Sequence, residues 1–569
     1  MVARRLIRAR SGSSQREVAP QAGEAWGAPC GSAAPQGGRE RAALGAILEL
    51  GKSLAKTRRR QKIICDVSNG SVLIQINRRG RAGGDHMGYA GEARAPVFRS
   101  IAIFLLCGIG SALGASVAAP PTPLSAADAA AIAQVLQTGP QQGIPTPDVG
   151  ADLRAIGGPD PKAASAASAD LETIIIAFAL AEHGGPGDPR QLDPGLALKP
   201  PYDAAAQFLQ AQAVGRIADW ARDLPRQDGS YLSLAAARQR YAQIADEGGW
   251  PLVKAGESVA KGQADPRISL LRQRLAIEGY PSSPSQKPNI LDPSLSSALA
   301  AFQLRHGLEP NGVLDKETVA ALNVSAAARL ATIDLNLLRA RWLPNPLPPG
   351  RIEVDIANPA VVLFVDGKPA LSMLAVVGDI RHHTPTFASE VSAVVFNPPW
   401  IVPVAIARAE LYPKERRNPG YFRRNGFVVR DGRLIQRAGP KAALGYIKFD
   451  VPDPFEVYLH DTPARSLFTK SKRWLSHGCV RLQAPRDLAA LLLGGQGWSK
   501  ADVDDAIDAK VTRAFSLKER TPVFVLYRTA VADSSGATTF FPDVYEWDAE
   551  LASGRRTHAI GQGVGSPGP

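Results

Sequence analysis

From about residue 119 the chain alternates Ala-rich stretches of helical period with Pro/Gly breaks. Ser125 to Gln137 places Ile132, Val135 and Leu136 on one face, with Ser125 as a cap and Gly139-Pro140 as a stop. Asp170 to His183 is apolar nearly all round, which predicts a buried helix, and His183 in its last turn suits a C-terminal cap. Tyr202 to Leu224 and Tyr231 to Asp246 carry the same period. Residues 119–263 hold no cluster of chemically active side chains and read as a helical scaffold.

A separate unit spans 264–323. Ile268, Leu271 and Leu275 define one amphipathic helix, and Leu295, Leu299 and Phe302 a second. Asp315 caps a third that bears Val319 and Leu322, so the pattern predicts a small three-helix bundle. A linker helix over 324–350 follows. From Arg351 the period changes to two: Ile352, Val354 and Ile356 alternate with polar residues, and Val361 to Val365 and Leu371 to Val377 flank Asp366-Gly367, a hairpin signal. Val391 to Phe396, Phe455 to Leu459 and Pro522 to Tyr527 add strands, making 351–530 a mainly β domain. Within it, 407–445 contains KERRNPGYFRRNG without strong periodicity and reads as a long loop or lid. Beyond 530, Thr538 to Trp547 suggests an edge strand and 553–569 a disordered tail. The fold class is multidomain α+β.

Composition confirms a globular chain, since 45% apolar and 21% charged residues exclude global disorder and a polytopic membrane protein. Charge matters only at the N-terminus. Of the formal +13, residues 1–86 hold sixteen Lys/Arg against six Asp/Glu, leaving +3 over everything after them. A nucleic-acid partner for the folded part is therefore not implied. The segment 87–118 has Arg94 and Arg99, an apolar run from Ile101 to Leu113, and small residues ending at Ser116 and Ala118. These are the three regions of a secretory signal peptide, and the run is short of the roughly 20 residues a spanning helix needs. Residues 1–86 then read as a disordered upstream extension ahead of Met87. Cys30 and Cys65 fall in that extension and Cys107 in the signal, so an exported chain keeps only Cys479, a lone thiol that marks a candidate nucleophile.

The stretch VYLHDTPARSLFTKSKRWLSHGCVRLQAP carries the chemistry. His460 closes an apolar strand, and Cys479 follows 19 residues later within Ser476-His477-Gly478-Cys479-Val480-Arg481. A nucleophilic thiol needs a base or a positive field: His460 can supply the base, and Arg481 and a helix starting near Pro485 the field. Gly478 lets main-chain N–H groups turn toward a developing oxyanion. Two other readings use the same residues: a zinc site of His460, His477 and Cys479, or histidines satisfied in a polar loop.

Two resemblances bear on the choice. ALAAFQLRHGLEPNGVLDKETVAALN resembles the peptidoglycan-binding-domain family, with Asn311-Gly312 where that family usually has Asp-Gly. Y-x-H-D-T followed by S-H-G-C-V-R-L resembles the signature of the L,D-transpeptidases with a YkuD-type catalytic domain, and Asn397-Pro398-Pro399-Trp400 and Gly497-Trp498 resemble its larger periplasmic members. The resemblance implies Cys479 as nucleophile, His460 as base oriented by a backbone carbonyl rather than by Asp461, and the Gly478 and Cys479 amides as oxyanion hole. It implies supporting roles for Tyr458 and Ser476, a substrate-carboxylate contact for Arg481 and a cavity wall for Trp400; the slot of His477 admits other residues, which argues against it as the base. It also implies no metal or cofactor, a periplasmic setting, peptidoglycan stem peptides as substrate, 3→3 cross-links through a thioester, and inhibition by carbapenems. L,D-carboxypeptidase or lipoprotein-anchoring activity, or a non-catalytic wall-binding scaffold, are the alternatives.

Overall fold

The computed structural model describes residues 123–185, 188–191 and 195–553, together with the backbone of an antiparallel hairpin in which Lys62–Ser68 pairs with Ser71–Asn77. That hairpin corrects the expectation that residues 1–86 are disordered throughout: Ile63, Ile64, Val72, Leu73 and Ile74 are strand-forming residues on either side of Asn69-Gly70, a turn pair. The signal-like segment 87–118 and the tail beyond 553 lie outside the described residues.

Helices α1 (Ala126–Leu136), α2 (Gly150–Ile156), α3 (Pro161–Glu182), α4 (Ala204–Ala213), α5 (Ile217–Asp223) and α6 (Gly229–Asp246) build the scaffold. Ser125 caps α1 as expected, its Oγ accepting the Asp128 N–H at 3.0 Å. α3 begins nine residues before the apolar period does, because Asp160 caps it and Pro161 starts an Ala-rich turn that favours helix without an apolar stripe. His183 closes it with Nδ1–H donated to Ala179 O at 2.9 Å. The single helix predicted over Tyr202 to Leu224 is two: Gly215 takes φ 67° and the Arg216 N–H turns back to Ala211 O, ending α4. Ile132, Leu136, Leu171, Ile175, Phe178 and Phe208 form the shared core.

Helices α7 (Ile268–Glu278), α8 (Pro293–Arg305) and α9 (Lys316–Leu322) are the predicted three-helix unit, and every core position named from its sequence is buried. Phe302 is fully buried among Leu271, Leu275 and Leu299, so Phe302→Ala is expected to cost about 3–5 kcal/mol in chemical denaturation. This unit is bolted to the scaffold: buried Glu278 pairs with Arg274 (2.7 Å), accepts the Tyr241 hydroxyl of α6 (2.7 Å) and faces His306 (3.3 Å). Helix α10 (Ala326–Ala340) then leads to the β domain.

There the strands are β1 (Arg351–Asp355), β2 (Ala360–Val365), β3 (Lys368–Gly378), β4 (Thr386–Phe396), β5 (Trp400–Ile401), β6 (Phe427–Arg430), β7 (Arg433–Gln436), β8 (Ile447–Asp450), β9 (Leu459–His460), β10 (Trp474–Ser476), β11 (Val480–Leu482) and β12 (Arg513–Leu526). The order β8-β9-β11-β3-β2-β1-β12-β4 returns to β8 through the register Ile447↔Phe396, so the sheet closes into a barrel. The predicted β2–β3 hairpin turns at Asp366 and Gly367, with φ 50° and 75°. Leu196–Ala197 of the scaffold pairs in parallel with β4 and stitches the two regions together.

Three expectations need correction. The segment 407–445 is not a loop: β5, β7 and β6 make a three-stranded sheet over helices α11 (Tyr412–Arg417) and α12 (Tyr421–Arg424), with a core of Val402, Leu411, Phe427 and Leu434. Its small core draws on aromatic residues scattered without period, which is why periodicity missed it. The predicted edge strand is a separate ribbon, Thr538–Phe540 on Ala530–Ala532, followed by Tyr545 and Trp547 buried in the barrel core. Between β8 and β9, Phe455 to Tyr458 is turn rather than strand, because Glu456 sits at φ 56°.

Candidate active site

β9 and β11 lie side by side in parallel with His460 opposite Arg481, and the Val480 N–H reaches Tyr458 O at 3.1 Å. Since side chains alternate along a strand, Tyr458 and His460 share a face with Cys479 and Arg481. The Tyr458 hydroxyl lies beside Cys479 and Trp400, and its ring is 5.7 Å from that of His460. Trp400 sits on β5 at the base of the lid, so Tyr458 stands between the lid and the thiol.

His460 is buried, and its Nδ1 is 2.5 Å from the main-chain oxygen of Asp461. A carbonyl only accepts, so Nδ1 carries the proton and Nε2 keeps a free lone pair, the tautomer a base requires. The Asp461 carboxylate faces elsewhere, accepting the N–H of Tyr446 and of Thr462 at 2.9 and 2.7 Å. His477 also turns away: its Nε2 meets Glu410 of the lid at 2.5 Å, and its ring stacks obliquely on His382 at 4.6 Å. His477 therefore does not converge with His460 and Cys479.

Gly478 adopts φ 112°, a conformation that favours glycine, and its turn is closed by Ser476, whose Oγ donates to Cys479 O (2.6 Å) and accepts the Gly478 N–H (3.1 Å). This departs from the expectation for the Gly478 amide, which is spent inside the turn. Residues that no sequence signal singled out hold the turn from behind. Thr384 Oγ1 donates to Gly478 O at 2.6 Å and accepts from Gly378 N, and the Tyr545 hydroxyl donates to Gly378 O at 2.6 Å. A Cβ on Gly378 would meet His382 O at 2.0 Å, so only glycine fits there.

Burial dominates the electrostatics. It pushes the His460 imidazole down to about 3, helped by the charge of Arg481 and opposed by the Asp461 carbonyl. It also pushes the Cys479 thiol up, outweighing the Tyr458 donors and Arg481, which favour the thiolate. The field expected from Arg481 is present but loses to desolvation. The resting pair is thus thiol and neutral imidazole. Arg481 is itself destabilised as a cation by burial, its Nε lacking a hydrogen-bond partner among the described residues.

Residues 349–525 match the family model described as "L,D-transpeptidase catalytic domain", of the YkuD type, and this range contains the whole cluster. The chain has a YkuD-type L,D-transpeptidase catalytic domain. Residues 264–322 match the model "Putative peptidoglycan binding domain", so the three-helix unit belongs to that family. A Haemophilus influenzae protein named "Putative L,D-transpeptidase" is 30% identical over 237 residues, which are 38% of this chain and 48% of that one. The chain thus spans about half the length of this curated relative. Among solved structures, an L,D-transpeptidase from Mycobacterium smegmatis matches at 18% identity, covering 32% of this chain and 59% of that one, with TM-score 0.18. One from Xylanimonas cellulosilytica matches at 16%, covering 48% and 99%, with TM-score 0.15. Within the L,D-transpeptidase domain, the lid is the span 400–446 between β4 and β8.

Proposed function

We propose that this chain is an L,D-transpeptidase of the cell envelope, exported to the periplasm, which joins peptidoglycan stem peptides through a Cys479 thioester. The observation that carries the reading is the His460 tautomer fixed on the Asp461 carbonyl, on the strand face it shares with Cys479. Sγ attacks the carbonyl between the L-centre of diaminopimelate and terminal D-Ala while its proton passes to His460 Nε2. Because both groups rest neutral, proton transfer accompanies attack rather than preceding it. The oxyanion is met by the Cys479 N–H and the Tyr458 hydroxyl, Ser476 having taken the Gly478 amide. Collapse breaks the C–N bond, the imidazolium protonates the departing D-Ala amine, and the thioester remains. The amine of a second stem attacks it, His460 takes the excess proton, and the thiol is regenerated with a 3→3 cross-link formed. Arg481 is the cation available to a substrate carboxylate, and Trp400 forms the lid-side wall.

Incubating the protein with purified disaccharide-tetrapeptides and identifying products by mass spectrometry tests this. The expected product is a dimer of two stems less one D-Ala. Tripeptide alone would mean that water is the acceptor, and a chain that leaves tetrapeptide intact is not this enzyme.

A further inference from the structure

The lid is strongly cationic. Residues 400–445 contain ten Lys/Arg and three Asp/Glu, a net +7, against +3 for everything after residue 86, so the remainder is net acidic. Two of the three acids are used internally: Glu415 accepts the Gly420 and Phe422 N–H groups at 2.9 and 2.6 Å, and Glu410 holds His477 and Lys414. Several arginines elsewhere are matched, as in Arg226–Asp228, Arg238–Asp334, Arg267–Asp265 and Arg305–Asp533. On the lid, Arg408, Arg416, Arg423, Arg430, Arg433 and Arg437 are exposed, and among the described residues none pairs with an Asp or Glu. Crowding like charges on so small a unit opposes its folding, and an anionic partner would remove that cost.

Resting on the proposed function for the identity of the wall polymer, we propose that the lid is a cationic docking surface for the carboxylates of peptidoglycan stem peptides. The Glu410–His477 contact fixes this surface two residues from Cys479 in sequence, so a polymer held there by several carboxylates presents neighbouring stems to the thiol. An anionic membrane is the lesser fit. Membrane-surface elements expose aromatic and large apolar residues beside their cations, whereas Tyr412, Tyr421, Phe422 and Phe427 stack on one another inside the lid. Only the aliphatic Ile401, Val404 and Val429 are exposed.

The test is co-sedimentation of the full chain with purified sacculi, with sacculi whose stem carboxylates have been converted to amides, and with phosphatidylglycerol vesicles. The combined variant Arg416→Gln, Arg423→Gln, Arg430→Gln, Arg433→Gln is compared with its all-Lys counterpart. At low ionic strength the Gln variant should bind native sacculi roughly tenfold more weakly, the Lys variant should bind normally, and raised salt should erase the difference. Amidated sacculi should weaken the unmodified chain by a similar factor, an arm that does not depend on any variant folding; equal melting temperatures establish folding for the others. Equal binding of native and amidated sacculi, or lid-dependent binding to vesicles but not sacculi, overturns the proposal. Turnover of soluble tetrapeptide is read separately: charge-dependent sacculus binding without turnover overturns the catalytic reading and leaves this one standing.

Discussion

His460→Ala is expected to slow acylation of Cys479 by about 10²–10⁴-fold while leaving the thiol in place. The size follows from the resting state. Burial holds the thiol protonated, and no other base shares its strand face: the Tyr458 hydroxyl is held protonated by burial, Arg481 is a cation, and His477 is occupied by Glu410. Loss of His460 Nε2 leaves water to take the proton in a site that His460 itself helps to keep dry. The pH profile separates this role from a structural one. An ordinary histidine base loses activity below pH 6.5, but His460 stays neutral down to about 3, so wild-type acylation should show no acid limb between pH 5 and 7. The rate should instead climb toward alkaline pH as the raised thiol begins to ionise, and the variant should retain that climb at a lower rate. A time course of acylation by a carbapenem at pH 5 to 9, followed by mass spectrometry, measures both. An acid limb with a midpoint near 6.5 would mean that the imidazole is less desolvated than its surroundings dictate.

The centre of the site was legible because its chemistry is local in sequence. Tyr458, His460, Ser476, Gly478, Cys479 and Arg481 sit on two short stretches that the parallel pairing of β9 and β11 brings together. The helical module was legible for a related reason: its buried positions repeat at helical spacing, and Leu271, Leu299 and Leu322 are all fully buried. Hidden features depend on long-range partners. Gly378 and Thr384, six residues apart, and Tyr545, far along the chain, support the Cys479 turn, and nothing in their immediate neighbours distinguishes them. The lid was expected, but its internal sheet and helices stayed hidden because arginines outnumber its apolar residues in the stretch from Lys414 to Arg424. The direction of the thiol shift was missed because Arg481 is visible in sequence, whereas the burial that outweighs it is not.

The central claim is a covalent one, and intact-mass analysis after exposure to a carbapenem tests it most directly. A strained lactam carbonyl stands in for the donor amide carbonyl: Sγ opens the ring, the ring nitrogen takes the proton, and no leaving group departs, so the protein gains the whole drug mass. Cys479 is the one free cysteine among the described residues, and it lies on the tryptic peptide Trp474–Arg481, where the adduct can be placed. Cys479→Ala removes the attacking atom and retains the turn, since Ser476 bonds the main-chain oxygen and the Gly478 N–H rather than the thiol. The account predicts one added drug mass on Trp474–Arg481 in the wild type and none in Cys479→Ala. An adduct that persists in Cys479→Ala, or a wild type that neither acylates nor consumes tetrapeptide stems, would contradict it.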